Sequence, residues 1–100
     1  MLNMKLIHRE TGEEVRMIGR LDNNSAADAE KILVDLVGRC DHLTLDMEQL
    51  EYISSAGLRA LKRAHLAMRR KGGVLAAKNV DKMIMEVFEI TGFAGMLKIV

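Results

Sequence analysis

Tyr52-Ile53-Ser54-Ser55-Ala56-Gly57-Leu58-Arg59 holds a strand-to-helix junction in one short stretch. An apolar run breaks into two serines and a glycine, and a helical pattern begins at once. Wound at helical period, residues 57 to 70 place Leu58, Leu61, Ala64, His65 and Met68 on one stripe and Arg59, Lys62, Arg63, Arg69 and Arg70 opposite. Gly72-Gly73 ends this helix, and Val74-Leu75-Ala76-Ala77 reads as a strand. Upstream, His42-Leu43-Thr44-Leu45-Asp46 is a short strand, and Leu50, Tyr52 and Ile53 lead into the serines. Strand, crossover helix and strand in this order make the repeating unit of a parallel sheet.

The same unit extends outward on both sides. Met4 to His8 alternates, Thr11-Gly12-Glu13-Glu14 signals a turn, and Val15 to Ile18 resumes the apolar run, which makes a hairpin. Gly19 to Ser25 reads as a polar loop. Ala26, Ala29, Ile32, Leu33, Leu36 and Val37 then recur at helical spacing, giving a helix over about 24–38 with Asn24 or Ser25 as cap and Gly38 near its end. Val80, Met83, Ile84, Val87, Phe88 and Ile90 form a third amphipathic helix before Thr91-Gly92, and Leu97 to Val100 a last strand. The order β-β-α-β-α-β-α-β describes one α/β domain over residues 1–100, with a mostly parallel sheet and an antiparallel N-terminal edge hairpin. In open sheets of this kind function gathers at the carboxyl ends of the strands, and the serines lie beyond the strand that ends near Asp46.

Composition narrows the classes. The chain has 100 residues, 49% apolar and 29% charged, which suits a single globular unit without staples. Its one cysteine, Cys40, excludes an internal disulfide and reads as an inert small residue in a reducing compartment. The start Met1-Leu2-Asn3-Met4-Lys5 is too short and too soon charged for a signal peptide, and no apolar run is long enough to span a membrane, so a soluble cytoplasmic protein is expected. A net charge of +1 argues against general nucleic-acid binding. The charge is nevertheless segregated. Acids outnumber bases over residues 10–51, whereas 52–78 carries Arg59, Lys62, Arg63, Arg69, Arg70, Lys71 and Lys78 and no acid.

The serines admit several chemistries. A nucleophile elbow needs Gly-x-Ser-x-Gly, and Ile53 stands where its first glycine belongs. His8 and His42 sit in or near strands and His65 on an apolar stripe, so no acid–base partner is in view, and no phosphate-loop or dinucleotide fingerprint occurs. Catalysis is therefore not expected. Asp22, Asp46, Glu48 and Glu51 share only their negative sign, and neither metal nor cofactor is implied. What remains physically is an anion site: a serine in the first turn lies beside unpaired backbone N–H groups and the positive end of the helix dipole. The bland reading, a plain N-cap, is also open for either serine.

The stretch from Leu45 to Leu58, Leu45-Asp46-Met47-Glu48-Gln49-Leu50-Glu51-Tyr52-Ile53-Ser54-Ser55-Ala56-Gly57-Leu58, resembles the signature of the STAS domain, in particular of small bacterial anti-sigma-factor antagonists. Gly19-Arg20-Leu21-Asp22 with Ser25-Ala26, and Phe88 to Phe93, match two further blocks of the family in order, so the similarity covers nearly the whole chain. The resemblance implies a binding module switched by phosphorylation. In the family a GHKL-type serine kinase that doubles as the anti-sigma factor modifies a serine at the start of the second helix, the unmodified protein binds that kinase, and a PP2C-type phosphatase resets the switch. The family motif Asp-Ser-Ser/Thr-Gly-Leu places the acceptor at Ser55, with Ser54 as a secondary site. Ser54 stands where relatives have aspartate and Ala56 where they have a second hydroxyl. Many relatives continue past the position of Val100 into a terminal helix. The expected partner surface is Asp22, Asn23, Asn24, Ser54, Ala56, Gly57, Arg59, Lys62, Arg63 and Leu66, with Leu66 an apolar anchor ringed by charge. The alternative is a constitutive STAS scaffold or regulatory subunit of a signalling or transport complex, without phosphorylation.

Overall fold

The computed structural model describes residues 1–100. Strands β1 (Leu2–Arg9) and β2 (Gly12–Leu21) form the hairpin, and α1 (Ala26–Val37) leads to β3 (His42–Asp46) and β4 (Leu50–Ile53). Then come α2 (Ser55–Arg70), β5 (Val74–Lys78), α3 (Lys82–Thr91), a short turn of tighter helix at Phe93–Gly95, and β6 (Lys98–Ile99). The sheet order is β1-β2-β3-β5-β6, with β4 also paired to β2. Only β1 and β2 are antiparallel.

Two segments differ from their sequence reading. The expected order gains a strand, because Leu50–Ile53 is not a lead-in but β4, parallel to the far end of β2. The serines therefore follow β4 rather than β3. Gly19 to Leu21, read as loop, continues β2. Gly19 permits this: its φ is +109°, a Cβ there would run into the Met1 carbonyl, and past Arg16 β2 leaves β3 for β4, with a register slip in the β2–β4 pairing between Gly19 and Arg20.

The crossovers from β2 to β3, β4 to β5 and β5 to β6 all step the same way across the sheet. Right-handed connections then set α1, α2 and α3 on one face. One apolar core joins Val15, Met17 and Leu21 of β2, Leu43 and Leu45 of β3, and Leu75 and Ala77 of β5 to Leu33, Leu61, Met68, Ile84 and Phe88 from the helices. The alternate strand residues face away from the helices, and Glu14, Arg16, Asp46 and Lys78 bring charge to that face. Glu14 is buried there beneath Lys78 Nζ at 2.8 Å and Arg9 Nη2 at 3.3 Å. Asp46, also buried, sits 3.6 Å from Arg16 Nε and accepts from Asn79 Nδ2 at 3.0 Å and from the Glu48 N–H at 3.1 Å. Buried carboxylates with several donors each are satisfied rather than reactive.

Candidate functional site

Parallel pairing puts the ends of β2 and β4 side by side, with Leu21 opposite Ile53 and Arg20 opposite Tyr52. The Ser54 N–H donates to the Leu21 carbonyl at 2.9 Å, which extends this ladder by one residue into the junction. Ser54 then caps α2: its backbone is extended (φ −94°, ψ 173°), and its Oγ accepts from the Gly57 N–H at 3.1 Å. Gly57 is buried, and a Cβ at that position would lie 2.8 Å from both Leu21 Cγ and the Leu21 carbonyl oxygen. Only glycine lets the first turn of α2 press this closely on β2. Gly57 thus supports the site from beneath instead of facing outward.

Ser55 is the first helical residue, exposed, and its hydroxyl makes no hydrogen bond within the chain. The two serines therefore divide the work. Ser54 is held by its cap, a role that aspartate fills equally well, and Ser55 stands free at the positive end of the helix. Ser55, Arg59, Lys62 and Leu66 fall on one stripe at i, i+4, i+7 and i+11, and all four are exposed.

The loop beyond β2 completes the rim. Asp22 Oδ1 accepts from the N–H groups of Asn24 at 3.0 Å and Ser25 at 3.2 Å. Burial works against its ionisation, but those N–H groups and the Ser25 hydroxyl outweigh it and hold the Asp22 carboxyl below its ordinary range. Ser25 occupies the N-cap position of α1 without capping it, since its hydroxyl donates to the Arg20 carbonyl at 2.9 Å and accepts from the Asp22 N–H at 3.0 Å. The loop is thereby preset. Asp22, Asn23, Asn24, Ser54 and Ser55 line one depression of about 310 Å³ together with Arg20 and Tyr52. The Arg20 guanidinium lies 4.3 Å above the Tyr52 ring centre and its Nε is 3.7 Å from Asp22 Oδ2. Sequence reading missed both residues. They are far apart in the chain, and only the β2–β4 register brings them together.

Beside this depression a groove of about 450 Å³ between α1 and α2 takes in Asn23, Glu30, Ala56, Arg59 and Arg63. Arg63 is already engaged, with Nη1 on Glu30 Oε1 at 2.8 Å. Lys71 is engaged too, its Nζ donating to the Val37 and Cys40 carbonyls at the end of α1. Lys78 is held by Glu14. Arg59, Lys62, Arg69 and Arg70 of α2 are exposed and have no carboxylate partner, and the first two lie on the stripe that begins at Ser55.

No histidine lines the depression, and its one carboxylate, Asp22, is occupied by the loop N–H groups. His8 pairs with Glu13 at the hairpin, and His65 is half-buried on the far half of α2. Asp46, Glu48 and Glu51 do not gather with Asp22, and no three His, Cys, Asp or Glu side chains are placed to hold a metal ion. Burial pushes the Cys40 thiol up, which keeps it protonated. No helix is long and apolar enough to cross a membrane.

The chain as a whole is similar to known proteins. BtrV of Bordetella bronchiseptica is 33% identical over 79 residues, which is 75% of this chain and 68% of that protein. The anti-sigma-B factor antagonist of Bacillus subtilis is 24% identical over 98 residues, 98% of this chain and 90% of its own. The crystal structure of an anti-sigma factor antagonist from Mycobacterium paratuberculosis superposes with a TM-score of 0.88 at 16% identity, over 99% of this chain and 85% of that one, and so shares the fold. The STAS domain model itself matches residues 7–100, so the chain belongs to the STAS domain family.

Proposed function

We propose that this chain is a phosphorylation-switched binding module of the cytoplasm. With Ser55 unmodified it binds an anti-sigma factor that is also a GHKL-type serine kinase; with Ser55 phosphorylated it releases that partner. Transcription is regulated by the exchange, and a PP2C-type phosphatase restores the binding form. The anti-sigma-B factor antagonist among the relatives supports the output. The observation that carries the reading is the exposed stripe Ser55, Arg59, Lys62 and Leu66, a free hydroxyl at the head of a row of unpaired cations with an apolar residue among them.

A phosphate on Ser55 brings about −1.5 to −2 charges. The fold accommodates it, because α2 has no acid in its first turn and offers its dipole and Arg59 one turn on, with Arg20 across the depression. A partner surface that is acidic or apolar at this point does not accommodate it. It loses the positive stripe it docked on and meets a buried like charge. A penalty of about 3 kcal/mol weakens association on the order of a hundredfold, enough to release a partner held at micromolar affinity.

Incubation with the cognate kinase and ATP, followed by mass spectrometric mapping, should place the phosphate on Ser55 and leave Ser54 unmodified. Ser55→Ala should trap the kinase in a pull-down. Modification confined to other residues would sink the assignment. The alternative, a constitutive scaffold, predicts no phosphate at all and full partner binding by Ser55→Asp.

A further inference from the structure

β1 is the outer strand of the sheet, and its free edge is unusually well prepared to receive another strand. The Arg20 N–H donates to the Met1 carbonyl at 3.1 Å, and Leu2 stands opposite Gly19. In an antiparallel ladder this makes Asn3, Lys5, Ile7 and Arg9 the residues bonded to β2, so the N–H and C=O groups of Leu2, Met4, Leu6 and His8 point to the open side. The side chains of those same residues turn toward the helices. Leu2 and Met4 pack on the core, Leu6 is 43% exposed, and α1 presents Ile32, itself 45% exposed. Leu2, Met4, Asp28, Ala29 and Ile32 frame a groove of about 350 Å³ along the strand. Asp22 and Asn24 also line it, so it is continuous with the rim of the Ser55 depression.

The opposite face of β1 says what the incoming strand carries. Lys5 has no carboxylate partner and stands directly opposite Arg16, which is turned to Asp46. Like charges opposite one another destabilise a strand pair, and an acid on the next strand over would relieve them. A second copy of β1 supplies none, because Leu2–Arg9 contains no acidic residue. We infer that the β1 edge and its groove bind an extended segment of a partner protein by strand addition, a segment with apolar residues toward Leu2, Met4 and Ile32 and an acidic residue beside Lys5. Main-chain hydrogen bonds give such a complex its affinity, and the alternating side chains give it direction.

The test uses the isotopically labelled full chain with Ser55 unmodified, so a failure of the phosphorylation reading leaves its outcome untouched. The probe is a short acetylated and amidated peptide alternating valine with glutamate. Saturable shifts and exchange protection are expected at the amides of Leu2, Met4, Leu6 and His8. A peptide with lysine for glutamate should bind about fivefold more weakly or worse, and Lys5→Glu should invert that preference. Leu6→Pro removes an outward N–H without touching the β2 ladder and should weaken binding by a similar factor; if that variant does not fold, the inversion by Lys5→Glu decides. The inference is overturned by the absence of saturable shifts, by shifts confined to α2, or by equal binding of the two peptides. Shifts of the same four amides that grow with protein concentration alone would overturn it in favour of a second copy.

Discussion

Adjacent serines with identical chemistry carry different duties because one backbone dihedral separates them. Ser54 is extended and aims its oxygen back at the Gly57 N–H, whereas Ser55 is already helical and aims its hydroxyl at solvent. The sequence makes both serines visible, and the family motif chooses between them, but the physical ground for the choice is the cap, which needs coordinates. Ser54→Ala should cost about 1 kcal/mol in urea unfolding, and Ser54→Asp should restore it while leaving Ser55 the site of phosphorylation. Equal stability of all three proteins would show that the cap is not what fixes Ser54. Arg20 and Tyr52 were illegible for another reason. Both lie in stretches that match the family pattern, yet their stacking depends on a strand register that no short stretch encodes.

Elements with strong periodicity were readable, and those held by their neighbours were not. α2 and β5 emerge from the chain almost to the residue, since an apolar stripe faces a charged one and Gly72-Gly73 marks the stop. β4 escapes because Leu50-Glu51-Tyr52-Ile53 is short and follows Asp46 with no glycine, proline or asparagine to mark a turn. Its strand character comes from β2. Likewise α3 begins at Lys82 instead of at Val80, behind Asp81 as N-cap, whose Oδ1 accepts from the Ile84 N–H at 2.8 Å. The turn before it relies on Asn79, which sits at φ +56° and ties β5 to Asp46 of β3 through its amide. Asn79→Gly keeps the left-handed backbone and loses that bond, for a cost of about 1 kcal/mol. Asn79→Ala adds the left-handed penalty and should cost about 1 kcal/mol more in the same denaturation assay. An Ala variant as stable as the Gly variant would mean that the turn relaxes out of this conformation.

At the scale of the whole molecule the two faces of the sheet differ in how they are held: an apolar core under the helices on one, buried carboxylates on the other. Helices cover one face, and their junctions with the strands build the Ser55 site. The other face is laced by charge around the buried Glu14 and Asp46. The hydrogen bond from Lys78 outweighs burial and, with Arg9, lowers the Glu14 carboxyl from its ordinary 4.5. For Asp46 burial opposes ionisation, yet Asn79, the Glu48 N–H, Lys78 and Arg16 together lower it from 3.8. Both groups are harder to protonate folded than unfolded, so their stabilisation is complete above those ordinary values and drains away as pH falls through them toward the lower folded values. Thermal melts should therefore be flat from neutral pH down to about 5 and fall steeply below it, and Glu14→Gln should be less stable at neutral pH with a shallower acid limb. An unchanged acid limb would remove Glu14 from this role. Neither carboxylate lines the depression at Ser55, where the proposed switch would bring its charge to the N-terminal end of α2. The most direct measurement is calorimetric titration of the kinase partner with unmodified and Ser55-phosphorylated protein whose circular dichroism spectra coincide. The account predicts an affinity lower by about a hundredfold for the phosphorylated form, and equal affinities from two equally folded proteins would contradict it.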